Sequence, residues 1–468
     1  MMAGRTFLKS SHRLLIVWGL VAAMTPGGGS ARGEEPKVSF SWEIRPLFRQ
    51  SCTGCHQPNK SKGGLDLSSH AGLMKGGKHA PAIRPGDPKG SRLIKEISGD
   101  DPAMPEEGDP LTSAEVALVT RWIMQGAIDD TPAGGFVHRL AAPPVYRSLP
   151  AVGALAWSPD GSILAVAGWH EVLLHHGNTT GIVARLVGES PRIESLAFSP
   201  DGAQLAVAGG APSEYGEVQI WNMSSRTLSR SIKTTGDAVY GVSWSPDGQR
   251  VAIGCADKMV RVFSVMDGGE LMKCDNHIDW VFATAWSHNG TNLVTASRDR
   301  ALKLIDVVSG RLIDDVNRQG DPLVSLARHP RENLVVCGSD KGELRIYRME
   351  PRGGRLAEGD DKENSFVRRL DRLSGSAQAV SWNADGSLIA AGSTGGEVRV
   401  FSAADGRRKA SPKWTGGAVF SLAFQASSQM LAVGGYDGRI RIFDAATGDL
   451  LRAFDSVPLT ARSVVNSR

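Results

Sequence analysis

The sequence predicts a mixed fold: a small all-α domain followed by an all-β seven-bladed propeller. Three observations predict it. Apolar residues recur at near-helical spacing in two stretches before residue 130. From about Pro143 the texture changes to short alternating apolar runs separated by glycine-rich turns. One landmark then occurs seven times at blade-length intervals. A chain of 468 residues exceeds a single core and has room for two or three domains.

Composition narrows the function classes. Apolar residues make up 41%, and the formal charge of +4 is small for this length. That gives no basis for nucleic-acid binding, which usually shows as a concentrated basic stripe. The first residues read as a secretion signal, with Arg5, Lys9 and Arg13 ahead of an apolar run over residues 14–24. Pro26 and its glycines break the run, and Gly29, Ala31 and Gly33 offer cleavage sites. The run is shorter than the roughly 20 residues that span a bilayer. Export to the periplasm, with no transmembrane span in the mature chain, is therefore expected.

Five cysteines make a poor disulfide framework. Three of them, Cys255, Cys274 and Cys337, are scattered through the strand-rich part and read as small apolar residues. The other two form Cys52-Thr53-Gly54-Cys55-His56, the C-x-x-C-H pattern of c-type haem attachment. The chemistry requires this spacing: two thiols reach the two vinyl groups on one macrocycle edge, and the adjacent imidazole becomes the proximal ligand. A zinc site would need a second ligand pair nearby, and no other cysteine occurs before Cys255. A thioredoxin-like motif would need a βαβ context, whereas the flanks here look helical.

Those flanks are specific. Phe40, Ile44, Leu47 and Phe48 precede the motif at near-helical spacing, with Pro46 starting or kinking a turn. Later, Thr112 and Glu115 form a capping box, and Leu111 and Val116 occupy the two positions of a hydrophobic staple. Val116, Val119, Trp122 and Ile123 make one apolar face, ended by Gly126. The sixth iron ligand is sought among Met74, Met104, Met124, His70 and His79. Met104 is favoured, standing in the rigid turn Pro102-Ala103-Met104-Pro105, because thioether ligation is the common cytochrome c arrangement. Core packing is the expectation for Met124, and a surface position for His70 and His79.

The segment from about residue 38 to 127 resembles the planctomycete-type cytochrome c domain. The resemblance is carried by Ile44-Arg45-Pro46-Leu47-Phe48, by Cys52 to His56, and by Lys62-Gly63-Gly64-Leu65-Asp66-Leu67. Pro85-Gly86-Asp87-Pro88, Met104-Pro105 and the stretch from Leu111 to Ala127 complete it. It implies one covalently bound haem c per chain, attached through Cys52 and Cys55, with His56 and Met104 as axial ligands of the iron. Gln57 stands where the family usually has glycine, and Glu106 replaces a second proline, adding an acidic group near the distal loop.

In the second part, Ala156-Trp157-Ser158-Pro159-Asp160-Gly161 returns around Phe198 and Trp244 and, more weakly, around Trp286, Arg328, Trp382 and Phe424. The period is roughly 41 to 46 residues with one longer interval, the length of a WD-type blade. In blade two the pattern predicts strands over residues 193–199, 205–209, 217–221 and 227–232. The long interval holds a polar, charged stretch over residues 352–364, read as a surface insertion in blade five. Residues 145–454 resemble WD-repeat proteins, though degenerately. Blade four alone keeps His277, Thr295 and Asp299 for the family's hydrogen-bond relay, with Ile305 where tryptophan is expected. Trp221-Asn222, Phe263-Ser264 and Phe443-Asp444 stand at the signature dipeptide. For the outer strand of blade seven, residues 145–149 and 450–454 both qualify.

Chemistry in the propeller is weakly indicated. His175-His176 would point one ring inward and one outward on a strand, His170 adds a further imidazole, and turn chemistry explains His288 and His329. No metalloprotease helix motif or nucleophile elbow occurs. The resulting organisation is a signal peptide over 1–33, a cytochrome c domain over 36–130, a linker over 131–144, a propeller over 145–456 and a tail over 457–468. The expected function is electron transfer by an exported c-type haem protein, with no catalytic residues assigned. The propeller serves as docking platform for a redox partner or an exported complex. A haem-dependent oxidoreductase with its site in the propeller, or a structural or sensing interaction protein, are the alternatives.

Overall fold

The Ser-Pro-Asp-Gly turns show how the repeats become sheets. In the computed structural model, Ser158 Oγ donates to Asp160 at 2.5 Å, and the same carboxylate accepts from the Ser162 N–H at 3.0 Å. Gly161 closes the turn at φ 73°, a conformation open to glycine. The Ser158 hydroxyl holds the Asp160 carboxyl below the usual range, and Ser199 does the same for Asp201. Each turn therefore reverses the chain between the first two strands of a blade.

The structure describes residues 37–57, 60–78, 81–106, 109–131, 142–317, 320–351, 365–426 and 428–460. The expected signal peptide, the core of the expected linker at 132–141, the insertion at 352–364 and the tail from 461 lie outside these residues.

Seven four-stranded antiparallel sheets form the propeller. Their inner strands are Leu155–Trp157, Arg192–Phe198, Val239–Trp244, Val281–Trp286, Leu323–Arg328, Ala379–Trp382 and Val419–Phe424. Each ends on the aromatic position of the repeated landmark, with Arg328 taking that place in blade five. Trp157, Trp244, Trp286 and Trp382 donate their indole N–H to backbone carbonyls of the preceding inner strand, at Ala423, Ala197, Ser243 and Ala327. These bonds staple neighbouring blades together. Blade two runs Arg192–Phe198, Gln204–Ala211, Tyr215–Asn222 and Thr227–Thr235, within a few residues of the sequence reading.

The question of the outer strand of blade seven is resolved in favour of the carboxyl-terminal strand. Leu450–Asp455 pairs with Arg439–Asp444, so all four strands of every blade are consecutive in sequence. The stretch at 145–149 contributes only an isolated parallel bridge, Tyr146 to Leu459. Thr460 reinforces that clasp with two hydrogen bonds to the Tyr146 carbonyl. Beside it Glu171, wholly buried, accepts from Tyr146 Oη at 2.8 Å and from Arg185 at 2.6 Å. Further contacts cross the seam at Val152, whose N–H reaches Gly435 O at 2.9 Å and whose carbonyl accepts from Ser421 at 3.0 Å.

The blade-four relay is present. His277 contacts Asp299 through Nδ1 and Thr295 through Nε2, both at 2.7 Å. Burial opposes charge on Asp299, but hydrogen bonds from His277 and from the Ala301 and Ile278 N–H groups outweigh it and hold the carboxyl at about 2. An unfolded aspartate titrates near 3.9. The stabilisation is therefore full above about pH 4 and lost as the pH falls through about 2, a contribution of about 2 kcal/mol. Asp299→Asn is expected to flatten the fall in urea midpoint between pH 5 and pH 2 relative to the native chain. An unchanged slope would contradict this account.

The amino-terminal unit corrects the all-α expectation in part. Helices α1 (Arg45–Ser51), α2 (His70–Lys75), α3 (Arg92–Ile97) and α4 (Ser113–Met124) are preceded by a π-helical turn at Phe40–Ile44. A two-stranded ladder, His56–Gln57 against Lys60–Ser61, is also present. Its hydrogen bonds carry the chain out of the motif and back toward the cavity described below. Only α1 and α4 were anticipated by periodicity; α2 and α3 are too short to show one. The core is as expected: Phe40, Ile44, Phe48, Val119, Trp122 and Ile123 are all essentially inaccessible. Thr112 and Glu115 form the capping box at α4.

Candidate functional site

Helix α1 ends at Ser51, and the next five residues are the cysteine–histidine motif. The Cys52 N–H donates to Phe48 O at 2.7 Å, and the Cys55 and His56 N–H groups both return to Cys52 O at 3.1 Å. The motif is thereby wound into a tight turn on the end of a helix that buries Leu47 and Phe48. Cys52, Cys55 and His56 line a cavity of about 530 Å³, within the range of cofactor sites. Leu65, Leu67, Ala82, Leu93 and Ile97 give it apolar walls, and Met104 faces the same space. Met104 is anchored by its N–H to Glu96 O at 2.9 Å.

One wall depends on a missing side chain. A Cβ on Gly77 would lie 2.7 Å from the Gly63 carbonyl, the group that accepts the Lys78 N–H at 2.8 Å. Glycine thus lets two loops close over the cavity. The rim is charged. Lys62 Nζ lies 2.7 Å from Glu106, and the Lys62 hydrogen bond holds the Glu106 carboxyl below its usual range. Arg92 and Glu96 pair at 2.9 Å across one turn of α3.

The donor set suits a covalently held haem. Cys52 and Cys55 are both free thiols, separated by two residues on one wall. Burial pushes the Cys52 thiol up to about 11. His56 Nδ1 is buried and has no hydrogen-bond partner among the described residues. An imidazole beside two thiols, a thioether on the same apolar cavity and room for a macrocycle fit the group that the motif implies.

The other described sixth-ligand candidates fall elsewhere. His70 Nε2 lies 2.8 Å from the Ala127 carbonyl, with its ring against Phe40 and Trp122. Met74 is 39% exposed. Met124 is corrected: it is not core but 60% exposed, because it falls off the stripe made by Val119, Trp122 and Ile123. His79 lies outside the described residues. Lys78, Arg92 and Glu96 were missed by sequence reasoning. Only the i, i+4 spacing of Arg92 and Glu96 hinted at a role.

In the propeller, His175 points inward and His176 outward, as alternation predicts. His175 Nε2 lies 3.0 Å from Ser456 O, and burial holds its pKa down. His329 Nδ1 accepts from the Arg331 and Glu332 N–H groups, so it caps its turn, and His288 Nε2 lies 3.3 Å from His329 O. Cys255, Cys274 and Cys337 are buried in strands. Among the described residues no group of three or more His, Cys, Asp or Glu side chains is arranged to hold a metal ion. No described helix is long and apolar enough to cross a membrane.

Fold and site together define a chain with a cysteine–histidine cavity domain followed by a WD-type propeller. Comparison with known proteins agrees on both parts. Residues 52–108 match the family described as Planctomycete cytochrome C. Residues 181–222, 226–264, 268–306 and 368–402 match the WD domain, G-beta repeat, and residues 408–462 match the Anaphase-promoting complex subunit 4 WD40 domain. Relatives include WD repeat-containing protein 55 of Pongo abelii, 32% identical over 24% of this chain and 30% of that protein. COMPASS component SWD3 of Saccharomyces cerevisiae is 26% identical over 28% of this chain and 42% of its own length. The chain thus spans less than half the length of these curated relatives. The solved structure of the computationally designed Ika8 protein aligns with a TM-score of 0.51 at 20% identity, covering 66% of this chain and 89% of that one. That likeness concerns the fold alone.

Proposed function

We propose that this chain is an exported electron-transfer protein that carries one covalent haem c and uses its WD propeller to dock a partner protein. The observation that carries the reading is the convergence of Cys52, Cys55, His56 and Met104 on one apolar cavity. Cys52 and Cys55 would hold the haem by thioether bonds, and His56 and Met104 would coordinate its iron. Bound there, the haem supplies one-electron ferric–ferrous chemistry, at a potential that methionine ligation raises. The chain's own part is to position and to shield. The turn at the end of α1 presents both thiols and the imidazole from one wall. The Glu96 carbonyl fixes the backbone of Met104. Leu65, Leu67, Leu93 and Ile97 exclude water, while the Lys62–Glu106 pair marks the charged edge that meets solvent.

Export is part of the proposal. Haem attachment to such a motif and the basic, then apolar, leader over residues 1–24 point to the same compartment. The relatives named above are WD-repeat proteins, one of them a component of a larger assembly, which supports a docking role for the propeller.

The ligand assignment has a direct spectroscopic test. The ferric protein is expected to show the weak near-infrared band of sulfur–iron ligation, and Met104→Ala to abolish it and admit cyanide quickly. Absence of the band from the native ferric protein, or its retention in Met104→Ala, would remove Met104 from the site.

A further inference from the structure

Blade two differs from its neighbours in its central hairpin. Gln204–Ala211 and Tyr215–Asn222 have eight residues each, whereas the equivalent strands of the other blades have five or six. At about 3.3 Å per residue, the extra length carries the turn roughly 7 to 10 Å beyond the others. The tip, Pro212-Ser213-Glu214, is braced from both sides. Ser213 adopts φ 60°, and its N–H donates to Asp237 at 3.1 Å. Tyr215 Oη donates to Glu189 O at 3.0 Å, and Lys233 lies 4.9 Å over its ring.

A glutamate at the tip of a projecting turn should be open to water, yet the Glu214 side chain is only 12% exposed. Two side chains of the amino-terminal unit reach it. Arg45 Nη2 lies 3.7 Å from one carboxylate oxygen, and Arg49 is hydrogen-bonded to the other. These arginines stand four residues apart on α1, hence on one face. The same helix delivers Cys52 to the cavity.

We infer that the long hairpin of blade two is a docking arm that holds the amino-terminal domain on the propeller, its partner being the basic face of α1 in the same chain. An exposed ion pair is weak, but both partners belong to one polypeptide, so the contact competes at an effective concentration on the order of millimolar. The arm thus sets the orientation of the cavity relative to the propeller and makes that orientation dependent on salt. The inference is independent of whether the cavity holds haem.

The test uses the full chain in small-angle scattering, with the propeller's melting temperature as a control for folding. Glu214→Arg is expected to lower the ratio of docked to undocked molecules roughly tenfold, seen as a larger radius of gyration and maximum dimension. Glu214→Gln, which keeps the shape of the side chain, should move both in the same direction by less. Arg45→Glu with Arg49→Glu should open the chain, and adding Glu214→Arg to that pair should close it again. High salt should expand the native chain. The arm is ruled out if Glu214→Gln and high salt both leave the scattering unchanged, or if the triple charge swap fails to restore the compact form.

Discussion

A chain with Cys52→Ser and Cys55→Ser is expected to release all of its haem on unfolding, whereas the native chain keeps one haem mass through denaturation and acid extraction. The size of the effect follows from the kind of bond. Coordination by His56 and Met104 would depend on the folded cavity and disappear with it, while thioether bonds would survive loss of the fold. Serine preserves the size of each side chain but has no sulfur to form the bond. Single substitutions should still keep the full haem mass, through the one thioether bond that remains. Intact mass after denaturation therefore separates the doubly substituted chain from the others in one measurement. Haem that washes out of the native chain would refute covalent attachment, whatever its colour when folded.

Trp286→Ala is expected to destabilise the propeller by about 3 to 5 kcal/mol, the usual cost of removing a buried tryptophan. Trp286 is 1% exposed, and Arg250 lies 4.9 Å over its ring. Its indole donates to Ser243 O at 3.2 Å, bridging blades three and four. The substitution therefore opens a cavity and unpairs a carbonyl at a junction on which the ring depends. Trp286→Phe should cost far less, about 1 kcal/mol for the lost hydrogen bond. Phe198 and Phe424 already fill the same position in blades two and seven with no N–H to give. Denaturant midpoints of the two variants measure the difference. A loss below about 1 kcal/mol for Trp286→Ala would show that this ring of aromatics does not join the blades.

What was legible in the sequence was whatever repeats or sits within a few residues. The landmark marks the end of every inner strand, aromatic in all blades but the fifth, and in blades one, two, three and six its Asp and Gly write the following turn. The Thr112–Glu115 capping box and the His277–Thr295–Asp299 relay were also readable, because fixed spacing encodes them. Long-range choices were not. Residues 145–149 and 450–454 have the same strand-like composition, and only packing assigns the outer position of blade seven. Nothing local pairs Glu171 with Arg185 and Tyr146, or Glu214 with Arg45 and Arg49. Met124 was misread because a methionine beside Ile123 looks apolar in a window, while the helix turns it by 100° onto the wet side. At the candidate site the motif located two cysteines and a histidine. The contribution of Arg92 and Glu96 from α3 needed the fold.

The contiguity of the blades has an evolutionary side. In a ring whose last sheet borrows a strand from the opposite end of the chain, adding or deleting a repeat disturbs the one sheet that both ends share. Here no sheet is shared. A duplication or deletion of one whole repeat leaves every remaining blade with its own four strands, and only the seam at Val152 and the clasp at Tyr146 must form anew. Stability in such arrays is close to a sum of repeat and interface contributions. The count of blades in this architecture is therefore a quantity that unequal recombination can change one step at a time.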